Sequence, residues 1–253
     1  MGDQGYYLYA VCRGLDPAVL ARVEGVGPAP LEVVEVLDLQ GVVSAVDLEE
    51  YGEAGLRSNL ERLDWVERTA RRHDAVVQAC AQHAPTAPMR MATIYLDDRS
   101  VRDRLELAYD PLAAALSRVE GRQEWSVKVY ATPSGPVRED SEAVVTSGAA
   151  YLRAKKAAAE SRRTAEARAM RAARQVDGEL SAIAVATRHL RAQDPQLSGV
   201  SSTMLLNGAY LVDAEDAPAF AEQVAALVAS LTDIHIACGG PWPPYSFATV
   251  EEP

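Results

Sequence analysis

Between Gly148 and Gln193 the chain contains no proline, is rich in alanine and in charge, and offers Gly178 as its only internal break. Alanine and the unbranched charged residues favour helix, so this stretch is expected to form one. At 1.5 Å of rise per residue, some 40 residues would reach about 60 Å, further than a small domain needs. Part of such a helix must stand clear of a core, break, or lie along another surface. Its apolar content is largely alanine, which offers little area to bury. From Arg153 to Arg174 it carries eight basic residues against Glu160 and Glu166, net +6, in a chain whose formal charge is −11. Two readings stay open. The helix is a solvated face whose arginine and lysine stems cover small residues, or it docks on an acidic partner through Arg153, Lys155, Lys156, Arg162, Arg163 and Arg168.

The segments around it set the fold class. YYLYAVCR (6–13) has the aromatic and β-branched content of a buried strand. LEVVEVLDL (31–39) and VVSAV (42–46) flank Gln40–Gly41 and read as a hairpin. Ser58 and Glu61 have capping-box spacing ahead of a helix whose stripe is Leu60, Leu63, Val66, Ala70, Val77 and Cys80. MRMATIYLD (89–97) reads as a strand. A second stripe over 101–119 restarts at Asp110–Pro111 and ends at Gly121. QEWSVKVYA (123–131) alternates like a strand, TPSGPVREDSE (132–142) is a loop, SSTMLLNGAYLVD (201–213) is strand-like on both sides of Asn207–Gly208, and a helix over 216–231 precedes DIHIACGG. The expected class is α+β, with two domains, 1–121 and 122–253. Each has the β-α-β-β-α-β order of a ferredoxin-like fold, and the helix over 100–120 joins them.

Chemical signatures are sparse. The scattered cysteines Cys12, Cys80 and Cys238 suit reduced thiols rather than a disulfide framework. No run approaches 18 apolar residues, and the start lacks the basic and apolar regions of a signal peptide. A cytoplasmic protein is therefore expected. The net negative charge argues against broad nucleic-acid binding. There is no nucleophile elbow, P-loop or zinc-protease motif. GVGPAP (25–30) has two glycines of a dinucleotide loop, but its prolines block the helix start that such a loop requires. His73 falls on an apolar stripe as a core or interface histidine, Asp97–Asp98 suits a helix cap, and Met89, Met91 and Cys80 suit a core rather than a soft metal site. No catalytic residue, cofactor or metal is expected.

The chain closes on CGGPWPPYSFA (238–248). Pro241, Pro243 and Pro244 have no amide hydrogens, so the segment cannot enter a central strand. Polyproline spacing places Trp242 and Tyr245 on one face. Trp242 is expected as a buried anchor, with the Tyr245 ring inside and its hydroxyl at a rim, in a clasp that closes the second domain.

GPWPPYSF resembles the terminal signature of the gas vesicle protein F/L family. YLYAV, RRHDAVVQACAQHAPTAPMRMATIY, EWSVKVYA, GAAYLRAKK and LNGAYLVD fall in the same order as in that family. One departure is MRMAT, where the family usually has an Arg-Phe-Gly-Thr type run. The resemblance implies a two-domain α+β accessory protein of gas vesicle assembly, located with the gas vesicle and not an enzyme. Its implied partners are the small hydrophobic shell protein, which it would keep soluble, and other gas vesicle accessory proteins, with no nucleic acid and no membrane. Arg153, Lys155, Lys156, Arg162, Arg163, Arg168, Trp242 and Tyr245 are the candidate contacts. The alternative function is a ferredoxin-like regulatory module with a small molecule between its domains.

Overall fold

A computed structural model describes residues 3–132, 148–192 and 202–248. The loop expected over 132–142 lies, from residue 133, outside the described residues. The chain divides into two compact units, Met1–Glu124 with Pro241–Pro253, and Trp125–Gly240.

The first unit opens with β1 (Gln4–Cys12) and a short 3-10 helix, Pro17–Arg22. Then come β2 (Leu31–Val36), β3 (Leu39–Asp47), α1 (Leu48–Tyr51), α2 (Glu53–Asn59), α3 (Leu63–Ala81), β4 (Thr86–Pro88) and β5 (Ile94–Tyr95). α4 (Asp98–Leu107) and α5 (Tyr109–Val119) complete it. The strands pair antiparallel in the order β2-β3-β1-β4, and β5 also pairs with β1. β1 is central, and Tyr7 through Cys12 are all buried, which is why its sequence is apolar without alternation. A bulge between Leu8 and Ala10 breaks the period-2 register. Tyr7, Tyr9, Ala10 and Cys12 consequently share one cluster with Trp65, Val76, Val77 and Cys80, whose side chains come from α3. Leu8 and Val11 instead face Leu105, Ala108 and Leu112 on the α4–α5 side.

In the second unit β6 (Arg122–Ala131), which starts in the first unit, leads to α6 (Gly148–Ser181) and β7 (Ala186–His189). β8 (Met204–Asp213), α7 (Ala217–Ser230) and β9 (Ile234–Trp242) follow, and the sheet order is β7-β8-β6-β9. Val127 and Val129 of β6 pack with Val176 and Leu180 of α6, Tyr210 of β8 and Phe220 of α7. The mixed helix-and-sheet class is as expected.

Four local expectations are corrected. The β2–β3 turn is Leu37–Asp38, not Gln40–Gly41; Gly41 lies inside β3, where an added Cβ would sit 3.1 Å from Leu105 and 3.3 Å from Leu8. Likewise β8 runs straight through Asn207–Gly208, and there a side chain at Gly208 would meet the Tyr210 ring at 2.7 Å. In both places glycine gives room rather than a turn. Ser58 lies within α2, and α3 starts at Leu63 after Arg62, which makes no side-chain cap. The run 89–97 is not one strand. Between β4 and β5 the backbone turns out at Met91–Ala92, with Ala92 at φ 64°, the left-handed region that glycine adopts freely. The Ala92 amide donates to the Tyr7 hydroxyl at 2.9 Å, which fixes the excursion.

Candidate functional site

α6 spans 34 residues, about 51 Å at helical rise. It runs unbroken past Gly178 and stops at Ser181, short of the expected Gln193, because Ala186–His189 pairs with β8 instead. Ala169, Ala172, Ala173, Val176 and Leu180 bury its C-terminal half. From Tyr151 to Arg168 only Ala158 and Ala165 are even half-buried. All six basic candidates, Arg153, Lys155, Lys156, Arg162, Arg163 and Arg168, lie on this exposed portion. Arg168 approaches Asp233 at 3.9 Å, and Arg153 donates to the Ala149 carbonyl at 3.3 Å. Among the described residues, Lys155, Lys156, Arg162 and Arg163 have no ion-pair partner. Their positive charge is therefore presented outward, not consumed within the unit.

The terminal segment belongs to the first unit, which corrects its expected place in the second. β9 carries on through Gly239 and Gly240 to Trp242, with Gly240 at φ 139°. It is an edge strand, where proline at its end is tolerated. Beyond it the chain folds into a tight turn, with Tyr245 N–H donating to Pro243 O at 2.8 Å and Ala248 N–H to Pro244 O at 2.9 Å. Ser246 donates from its amide and its hydroxyl to the two oxygens of the buried Glu124 carboxylate, at 2.8 and 2.6 Å. Arg118 donates to the Phe247 carbonyl at 3.0 Å. The anchor is Phe247, 2% exposed, and not Trp242, which is 48% exposed. Sequence reading missed Phe247, Ser246, Glu124 and Arg118. Phe247 alone had a local signal, being the apolar residue that follows the prolines.

The Tyr245 ring lines a groove, and its hydroxyl donates to Asp74 at 3.4 Å. Burial, then the Asp74 carboxylate, raises its pKa above the ordinary phenol range. The groove is open, about 460 Å³, with Ala70, His73, Pro88, Met89, Arg90 and Met91 as its other walls. His73, on α3, is 4% exposed. Its Nδ1 is hydrogen-bonded to the Tyr7 hydroxyl at 3.0 Å, and that hydroxyl also accepts from the Ala92 amide. Tyr9 stacks on the same imidazole with centroids 5.8 Å apart. Burial pushes the His73 pKa down, the Met89 carbonyl and Asp74 opposing it. A neutral imidazole at the floor of an apolar groove is the result.

These features define a two-unit α+β protein that displays one long basic helix and one small aromatic-rimmed groove. Among the described residues, no helix is long and apolar enough to cross a membrane. The gas vesicle synthesis protein GvpL/GvpF family model matches residues 5–249. Gas vesicle protein L of Streptomyces sp. (strain CB03234) is 39% identical over 254 residues, covering 99% of this chain and 95% of the relative. Gas vesicle protein F2 of Halobacterium salinarum is 25% identical over 99% of this chain and 94% of that protein. The crystal structure of GvpF from Anabaena sp. PCC7120 superposes with a TM-score of 0.71 at 17% identity, covering 98% of each chain. GvpF from Microcystis aeruginosa gives 0.66 at 18% identity, covering 97% of this chain and 99% of that one. The chain belongs to the GvpL/GvpF family, and its role lies with gas vesicles.

Proposed function

We propose that this protein is a non-enzymatic cytoplasmic accessory factor of gas vesicle assembly that binds the small hydrophobic shell protein and keeps it soluble until it is built into the vesicle. Both units are read as ferredoxin-like domains. Support comes from the shared strand order, in which the second, third, first and fourth strands lie side by side; the first crossover of the first unit is reduced to a 3-10 helix. A shell protein with a water-repelling face aggregates unless its apolar surface is covered, and a soluble acidic binder shifts that equilibrium by mass action.

The observation that carries the reading is the exposed portion of α6, with four cations that no described carboxylate neutralises. Arg153, Lys155, Lys156, Arg162, Arg163 and Arg168 are assigned to docking, with Tyr245 and the half-exposed Trp242 as a second, aromatic contact. Exposed charges act mainly on encounter and are screened by salt. The test is co-expression with the shell protein followed by pull-down and association kinetics. Replacing Arg162, Arg163 and Arg168 with Gln is expected to slow association and flatten its dependence on salt. Association unchanged at both low and high salt would return the helix to a solvated face. A shell protein equally insoluble with and without this chain would overturn the reading as a whole.

A further inference from the structure

On the α4–α5 side of β1 lies a second hollow, which borders the Tyr245 groove along Pro88, Met89 and Arg90. Its floor is apolar, made by Leu8, Val11, Leu105 and Leu112, and its cavity is about 50 Å³. A single water needs about 10–15 Å³ by the same measure, so the space suits one branched side-chain tip and not an extended acyl chain. Two arginines line it. Arg90 is exposed on the loop between β4 and β5, and Arg104 is half-buried on α4.

Neither guanidinium has a hydrogen-bond or ion-pair partner among the described residues. Residues 1–121 hold 20 Asp+Glu against 12 Lys+Arg, and most of their arginines are paired: Arg13 with Asp38, Arg71 with Glu67, Arg102 with Asp98. Along α4 the residues three and four positions from Arg104 are Ser100, Val101, Leu107 and Ala108, none of them acidic. Two unpaired cations beside one apolar hollow, on an otherwise acidic surface, are complementary to a carboxylate attached to a small apolar group.

We propose that this hollow is a recognition site for a peptide segment of a protein partner, one that inserts a single Leu, Ile or Val side chain and places the carboxylate of an adjacent Asp or Glu on Arg90 and Arg104. The site is independent of the α6 docking surface and stands whether or not that helix binds the shell protein. Its small volume favours a peptide over a free fatty acid, whose chain would be left in water.

The experiment is an NMR titration of the ¹⁵N-labelled full chain with three probes: N-acetyl-Leu-Glu-amide, N-acetyl-Leu-Gln-amide and sodium isovalerate. The Leu-Glu probe is expected to give saturable shifts confined to amides around Leu8, Thr93 and Leu105. The Leu-Gln probe should bind about tenfold more weakly, the usual difference between a charged and a neutral hydrogen-bonding partner. An Arg90→Gln/Arg104→Gln double variant, whose thermal melt should match the parent because both groups are unpaired, is expected to abolish the difference between the two peptides. Absent or scattered shifts, equal affinity of the two peptides for the parent, or an undiminished preference in the double variant would each overturn the site. Isovalerate binding as tightly as Leu-Glu would overturn the peptide assignment.

Discussion

Replacing Phe247 with Ala should destabilise the first unit far more than replacing Trp242 with Ala, although tryptophan is the larger residue. Phe247 is 2% exposed, so truncation removes a fully packed ring and leaves a cavity; the expected loss is about 3–5 kcal/mol. Trp242 is 48% exposed, and about half of the ring's surface never leaves water. Burying roughly 100 Å² at ~25 cal/mol per Å² is worth roughly 2.5 kcal/mol, and area already covered in the unfolded chain lowers this to about 1–2 kcal/mol. No closed cavity forms at a half-exposed site. The assay is urea denaturation of both variants followed by far-UV circular dichroism, with native-state hydrogen exchange at β1 amides to report on the first unit. Equal losses for the two variants, or a Phe247→Ala loss below about 1 kcal/mol, would refute the assignment of Phe247 as the anchor.

Three further outcomes are expected. Because burial lowers the His73 pKa below its ordinary 6.5, the unfolded chain takes up that proton first. Stability should therefore fall as pH drops from 6.5 through the folded-state value, and His73→Gln should flatten that part of a melting-temperature profile. Gly178→Ala should stabilise the second unit by about 0.5–1 kcal/mol in urea melts, since nothing lies within 4 Å of the added methyl and α6 is helical there. Leu37→Gly should also stabilise, by roughly 0.5–1 kcal/mol: the residue sits at φ 56° and is 83% exposed, so relief of left-handed strain outweighs glycine's extra chain entropy in the same assay.

What could be read from the sequence was whatever depends on neighbours along the chain. The aromatic run of β1, the helical restart before Pro111, the Asp97 cap on Ser100 and the α6 helix all express local periodicity or capping chemistry. Glycine was misread twice because Gly41 and Gly208 answer to Leu105 and to the Tyr210 ring, which no local pattern displays. The excursion at Ala92 is held by Tyr7, 85 residues away. The basic candidates were visible as a charge block, and their exposure follows from alanine having so little to bury. Trp242 was chosen as the anchor on size, yet burial is decided by position relative to a core, and here Phe247 occupies that position.

The terminal segment shows most clearly where such reading stops. Its prolines dictate that the last strand ends, and they say nothing about which core receives the residues that follow. The deciding partner is Glu124, 122 residues earlier, a carboxylate 7% exposed that would be costly to bury without donors. Ser246 supplies two donors at once, and so the end of the chain is fixed to the unit in which the chain began. The second unit is thereby an insertion, leaving the first after Glu124 and rejoining it at Pro241. Both crossings lie on β6 and β9, which are neighbours in the second sheet. Loss of the Ser246–Glu124 bonds would therefore do more than fray a terminus. It would take two donors from a buried carboxylate at one crossing and loosen the chain at the other, leaving the packed Phe247 ring and the Arg118–Phe247 bond to hold it.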